Sequence, residues 1–255
     1  MKHFSFPTPS ILFAVVFLAG CVSSGRNDRS GTADTAFAPP TGLAGVYAAS
    51  SVTLKWKNHA TASGGNLVEF NFDPREEFTI LAFVAGNVTT FRHEDVAGET
   101  RFNYRLHSYY GQPSGVAEIT TGDIPQSDAP NMELEGPLPE TNAVKTAVES
   151  IRSPATFAAA APDHLAASQA SPTSIDLRWQ DHASDEDGYL LEIATGRPED
   201  FAICALLPAD TTSFKKIYLQ PHTRCYFRVR AFFYGTPTPT VTVVTPKEEM
   251  KVTAQ

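Results

Sequence analysis

The feature that most constrains the fold is self-similarity at one fixed spacing. "VTLKWKNHATASGGNLVEF" (Val52–Phe70) aligns without a gap on "IDLRWQDHASDEDGYLLEI" (Ile175–Ile193). Trp56 and Trp179 lie 123 positions apart, as do Leu54 and Leu177, His59 and His182, and Glu69 and Glu192. The same spacing joins Phe78 to Phe201, Ile80 to Ile203, Phe91 to Phe214, Thr100 to Thr223 and Arg105 to Arg228. One unbroken register over this span marks two copies of one structural unit.

Each copy reads as short strands. "VTLKW" and "IDLRW" alternate apolar and polar positions, the period of a half-buried strand. "NLVEF" and "YLLEI" follow turn-rich stretches holding Gly64, Gly65 and Gly188. Then come "FTILAFV" and "FAICALL", "VTTF" and "TTSF", "RFNYRLHSYYG" and "RCYFRVRAFFYG", and last "VAEITT" and "TVTVVT". With one strand after each Ala-Pro start, this gives about seven strands per copy, the pattern of an all-β sandwich. The expectation is that the two copies, residues 38–121 and 160–246, each fold as an independent unit with its own strands.

In the second copy, Ala161-Pro162, Leu165, Leu177, Trp179, Asp181, Glu186, Gly188, Tyr189, Glu192, Thr211, Phe214, Leu219 and "YFRVRAF" occur in order. The first keeps Ala38-Pro39, Leu43, Trp56, Glu69, Phe78 and "NYRLHSY". In this order and spacing each copy resembles a fibronectin type III domain of the bacterial sort. The resemblance implies two tandem immunoglobulin-like β-sandwiches, over residues 38–121 and 160–246, with Trp56 and Trp179 in their cores. The family commonly opens its sixth strand with a tyrosine; Phe102 and Cys225 stand there, so the corner hydrogen bond is missing from both copies. Between the copies, residues 122–159 form a linker whose Pro125, Pro130, Pro137 and Pro139 favour an extended, solvated spacer. Within it "TNAVKTAVESIRS" has Thr141 as a cap and Val144, Val148 and Ile151 at helical spacing, which suits a short helix. Residues 21–37 read as a flexible tether and 247–255 as a tail.

The chain opens with an apolar run, Ile11–Gly20, about half the length that a membrane span needs. A weakly cationic start, a short apolar core and small residues fit a removable export signal, residues 1–20. Leu18-Ala19-Gly20-Cys21 resembles the lipobox of bacterial lipoproteins. That resemblance implies cleavage before Cys21 and lipid on Cys21, with the membrane as a partner through that lipid. Val22 stands where an Asp would resemble an inner-membrane retention signal, which favours the outer membrane where there are two.

The net charge is −8, and removal of residues 1–20 takes only Lys2 and leaves −9. Such a surface argues against nucleic acid as a partner. Motifs for a nucleophile elbow, a phosphate loop or a zinc hydrolase are missing from the sequence, so no catalysis and no cofactor are expected. Asp185, Asp187 and Gly188 resemble part of a calcium loop, but Ala183 and Ala194 occupy its first and twelfth positions. His59 and His182 share one repeat position and suit a turn role better than a metal. Alternation in the sixth strands turns Tyr109, Phe232 and Tyr234 outward, as contacts for an unidentified protein or glycan. The reading is a non-catalytic, lipid-anchored envelope protein acting as an interaction or spacer module. The rival is a carbohydrate-binding or enzyme-associated accessory lipoprotein.

Cys204 and Cys225 remain. A bridge closing about 20 residues is worth about 3 kcal/mol in the chain-entropy model. Strand order argues against it. The family's third strand lies between the two that carry these cysteines, and two strand spacings are about 9.5 Å, beyond the roughly 7 Å that a bridge spans. Alternation from Phe201 and Ile203 as core residues turns Cys204 outward and leaves Cys225 inside. Alkylation of the denatured, unreduced protein lacking Cys21 should add two labels by mass; labels that appear only after reduction would show a disulfide.

Overall fold

The computed structural model describes residues 35–123, 134–138 and 154–247. The helix expected from Thr141, the removable signal, Cys21 and most of the tether and tail lie outside them. The described residues are almost all β, in two tandem immunoglobulin-like sandwiches. The first copy supplies β1 (Thr41–Ala48), β2 (Ser51–Lys57), β3 (Gly65–Asn71), β4 (Thr79–Ala85), β5 (Thr90–His93), β6 (Arg101–Tyr110) and β7 (Ala117–Thr120). A short helix α1 (Pro154–Ala159) leads to the second copy. That copy supplies β8 (Asp163–Ser171), β9 (Ser174–Gln180), β10 (Gly188–Thr195), β11 (Ala202–Leu207), β12 (Ser213–Lys216), β13 (Arg224–Tyr234) and β14 (Val241–Val244).

In each sandwich one sheet has three strands, β1-β2-β5 and β12-β9-β8. Alternation places Val52, Leu54 and Trp56 of β2, and Ile175, Leu177 and Trp179 of β9, on the core faces. The facing sheets run β4-β3-β6 and β11-β10-β13, and β6 pairs with β13 so that they merge into one.

The last strands overturn the expectation from sequence. β7 pairs with β13 of the second copy, Cys225 opposite Ile119, and β14 pairs with β6 of the first, Phe102 opposite Val243. The exchange reaches the cores: Val243 is buried in the first and Ile119 packs against the second. Both ends of each exchanged strand are fastened alike. The Ser114 N–H donates to Val229 O at 2.7 Å and the Val229 N–H returns to Ser114 Oγ at 3.1 Å. Thr238 and Leu106 repeat that pair at 2.8 and 3.0 Å. At the far ends Thr121 and Thr223 bond reciprocally at 3.0 and 2.9 Å, and Thr245 and Thr100 do so at 2.9 and 2.9 Å.

Local chemistry explains why neither sixth strand folds back on itself. Pro113 follows one strand end, and Pro237 and Pro239 the other. Proline donates no N–H and holds the preceding residue extended, so the chain leaves each sandwich instead of making a tight hairpin. Gly111 has φ +121°, and a Cβ there would stand 2.0 Å from Ala231 O. Only glycine fits where the chain crosses over.

Part of the linker is also not a free spacer. The Gly136 and Lys215 backbones bond at 3.3 and 2.7 Å, and Glu135 pairs with Lys216 at 2.7 Å. Residues 134–138 thus lie along the β12 edge. Both cysteines are free thiols, and β10 separates β11 from β13 as expected. The facing expected for β11 is corrected. A register shift between Leu191 and Glu192 leaves Cys204 without its own opposite residue. Cys204 therefore packs against the second core, Ile203 faces away, and Phe201 lies under the Arg228 guanidinium at 4.2 Å. Burial pushes the Cys204 thiol up to about 12.

By strand pairing, the second sandwich is contiguous from β7 to β13, and the first is completed only by β14. Residues 38–121 and 160–246 each leave out the strand that closes their sheet. Residues 112–235 expressed alone should unfold cooperatively in urea, followed by circular dichroism, whereas residues 160–246 should show no cooperative transition.

Candidate functional site

The seam is built where β6 and β13 cross. Phe233 pairs with Tyr110 and Tyr234 with Tyr109, so side chains alternate to the two faces of one sheet. Tyr110 and Phe233 enter the second core. There Phe157 stacks on Tyr110 at 5.7 Å between centroids, and Phe37 meets Tyr110 edge-on at 4.9 Å. On the opposite face Tyr109, Phe232 and Leu190 form a third apolar cluster, bordered by Phe83, Ile203, Leu206 and Tyr234.

The expected contact aromatics are therefore corrected. Tyr109, Phe232 and Tyr234 do turn away from their own cores, as alternation requires. Yet Tyr109 is only 4% exposed and Phe232 1%, while Tyr234 is half-buried. The crossing of the two sandwiches covers them, which one repeat read alone does not reveal. Burial pushes the Tyr109 and Tyr234 hydroxyls above their ordinary range. Among the described residues the exposed large apolar side chains are Val46, Phe72, Val116, Leu134, Tyr218 and Val244.

Beside this cluster sit two matching ionic groups. Buried Glu192 pairs with Arg228 and, at 3.1 Å, with Arg230 Nε; Arg230 Nη1 then donates to Gly111 O at 2.5 Å. In the other copy Glu69 Oε2 lies 2.6 Å from Arg105 Nε and 3.1 Å from His107 Nε2. His107 Nδ1 stands 2.8 Å from Gly235 O. Each group thus runs from a carboxylate, through a basic side chain, to the hinge carbonyl of an exchanged strand. Burial alone would raise Glu69, but His107 and Arg105 hold it below the usual carboxylate range.

The remaining candidates serve the scaffold. Trp56 and Trp179 lie in the first and second cores, 4% and 6% exposed. His59 Nε2 meets Thr41 Oγ1 at 2.7 Å, and His182 Nε2 meets Asp163 Oδ1 at 2.8 Å, tying the start of the first strand to the end of the second in each copy. Asp181, Glu186 and Asp210 bring one carboxylate oxygen each within 4.8 Å of one another. Protein donors use that arrangement: Tyr189 Oη and the Ala183 N–H bond Asp181 Oδ1, and the Asp210 N–H bonds Glu186 Oε1 at 2.7 Å.

The residues that fasten the seam, Ser114, Thr121, Thr238 and Thr245, escape the constant spacing. Ser114 and Thr238 lie 124 positions apart, as do Thr121 and Thr245, one more than the rest. That single-residue change, beginning at Gly111 and Gly235, is the trace of the hinge in the sequence.

No protein-family profile and no curated protein matches the chain. Solved structures do. A Fn3-like protein from Clostridium thermocellum is 25% identical over 29% of this chain and 76% of its own, with a TM-score of 0.26. The FN1-FN3 domains of chicken CNTN1 are 16% identical over 82% of this chain and 67% of theirs, TM-score 0.26. A two-domain fibronectin type III segment of chicken tenascin is 12% identical over 82% and 100%, TM-score 0.26. The strand order and register given above carry the fold assignment.

Phe232→Ala empties the centre of the third cluster and should cost about 3–5 kcal/mol, read as a lower urea midpoint. Tyr218→Ala, at a side chain 86% exposed, should change stability by less than about 0.5 kcal/mol.

Proposed function

We propose that this chain is a non-catalytic, lipid-anchored protein of the bacterial cell envelope that acts as an interaction or spacer module. The observation that carries the reading is the reciprocal exchange of closing strands. It joins two sandwiches into one body through backbone pairing, exchanged core residues and the contacts of Arg230 with Gly111 O and of His107 with Gly235 O. Such a body suits holding loops at a set distance from a surface. The anchor rests on the Leu18-Ala19-Gly20-Cys21 sequence. Acyl chains contribute about 0.8 kcal/mol per buried methylene, so two or three chains hold a domain of this size on a membrane. Val22 favours the outer membrane. Among the described residues, no helix is long and apolar enough to cross a membrane.

The geometry at the seam disfavours the carbohydrate reading there. Sugar stacking needs open ring faces, whereas Phe83 and Phe232 meet at 86° and Phe232 and Tyr234 at 82°, ring edge against ring face. A pull-down with the mature soluble form, run against envelope proteins and cell-wall glycans in parallel, separates the two. Retention of glycan alone would overturn the protein-interaction reading. For the anchor, Cys21→Ala should leave the membrane fraction and lose its fatty-acid label. A variant that stays membrane-bound to the parental extent would refute it.

A further inference from the structure

In each sandwich the three-stranded sheet ends on a short strand, β5 in the first and β12 in the second. The two edges differ. Residues 134–138 cover β12: the Gly136 and Lys215 backbones bond in both directions, and Glu135 Oε2 accepts from Lys216 Nζ at 2.7 Å. Among the described residues, no strand or bridge lies along the outer edge of β5. Arg92 of β5 holds the repeat position of Lys215, 123 residues before it. Lys215 lies opposite Asp176, and Arg92 lies opposite Thr53, in the same register. In that register Lys215 turns its N–H and C=O away from β9 toward Gly136, so Arg92 turns its own away from β2. An edge of this kind is a template for one more strand.

We propose that β5 takes an added strand from a partner protein, an extended segment with acidic side chains facing outward and apolar ones facing inward. This rests on the interaction-module reading above and gives the partner its chemistry. Main-chain bonds supply the affinity of such a contact, and alternate side chains choose the partner. Alternation turns Arg92 to the outer face, beside exposed Lys55 and Lys57 of β2. In the second copy Asp176 pairs with Lys215 at 2.7 Å, whereas the first has Thr53 at that place. Arg92 Nε meets Glu94 at 2.9 Å, but both side chains are more than half exposed, so water screens that pair. The face is therefore cationic on a chain of net charge −8, and an acidic strand complements it. Inward, His93 replaces the Lys216 that holds Glu135. Its Nδ1 stands 2.9 Å from Tyr104 Oη and its ring lies 5.3 Å from Phe70, which in turn meets Phe72, 53% exposed. Burial pushes the His93 imidazole below its ordinary range. A side chain at the place of Glu135 thus meets aromatic rings and no cation, which suits an apolar group.

The probe is a peptide that alternates glutamate and valine, Glu-Val-Glu-Val-Glu, added to the mature soluble form and followed by amide chemical shifts. Shifts should concentrate at Thr90–His93 and spare Ser213–Lys216, where residues 134–138 already sit. Lys-Val-Lys-Val-Lys should bind at least about tenfold more weakly. Arg92→Pro removes the outward N–H and leaves the bonds to β2, which run from Phe91 and His93. Binding should then fall about tenfold or more. Arg92→Glu keeps the N–H and should narrow the preference between the peptides to about threefold or less. Equal binding of the two peptides to the parent, shifts away from β5, or undiminished binding to Arg92→Pro would overturn the proposal. So would an Arg92 amide already protected from exchange in the free protein, the mark of an edge held by this chain itself, or a dimer in sedimentation whose contact maps to β5. If Arg92→Pro does not fold, the peptide pair and Arg92→Glu still decide. No peptide binding beside retention of envelope proteins in the pull-down would overturn this edge alone. Retention of glycan alone would overturn the reading on which it rests.

Discussion

The backbone pairing of β14 with β6 and of β7 with β13 is the constraint on which the rest of this structure depends. A sixth strand without a seventh beside it would present a row of unpaired N–H and C=O groups, and the core behind it would lose Val243 or Ile119. Each copy meets that need from the other. The Tyr109–Phe232 cluster, the Phe37–Tyr110–Phe157 stack and the two ionic groups then follow from where the exchange places the ends of β6 and β13.

Burying Glu69 and Glu192 at 4% exposure each is costly, and ion pairs of this kind add little net stability beside apolar packing. Their contribution here is positional. An apolar seam alone would tolerate sliding of the crossing strands. A carboxylate that must meet Arg105 and His107, or Arg228 and Arg230, sets one register between β3 and β6 and between β10 and β13. Because the same basic side chains reach Gly235 and Gly111, that register also sets where each strand leaves its sheet.

How much of this the sequence reveals depends on the range of the interaction. Strand periodicity, the two core tryptophans and the separation of Cys204 from Cys225 are local or repeat-level properties, and they are legible. The partner of a closing strand is not. "VAEITT" and "TVTVVT" have the same period whichever sixth strand they join, and the decision lies in a few hinge residues, Gly111, Pro113, Gly235 and Pro237. The outward turn of Tyr109 and Phe232 follows from alternation, but their burial depends on a neighbour that alternation does not contain. The facing of Cys204 is illegible for a related reason: one register shift between β10 and β11 breaks the period on which facing is argued.

The destination of β14 also decides how the molecule bears tension. The chain enters the first sandwich at β1 and leaves it after Thr245, whose bonds are to Thr100 and Ala97 of that same sandwich. The whole second sandwich hangs between β6 and β14 as a closed excursion. A pull applied between Thr41 and Thr245 passes through the first sandwich alone, and the second carries no load until β14 is stripped from β6.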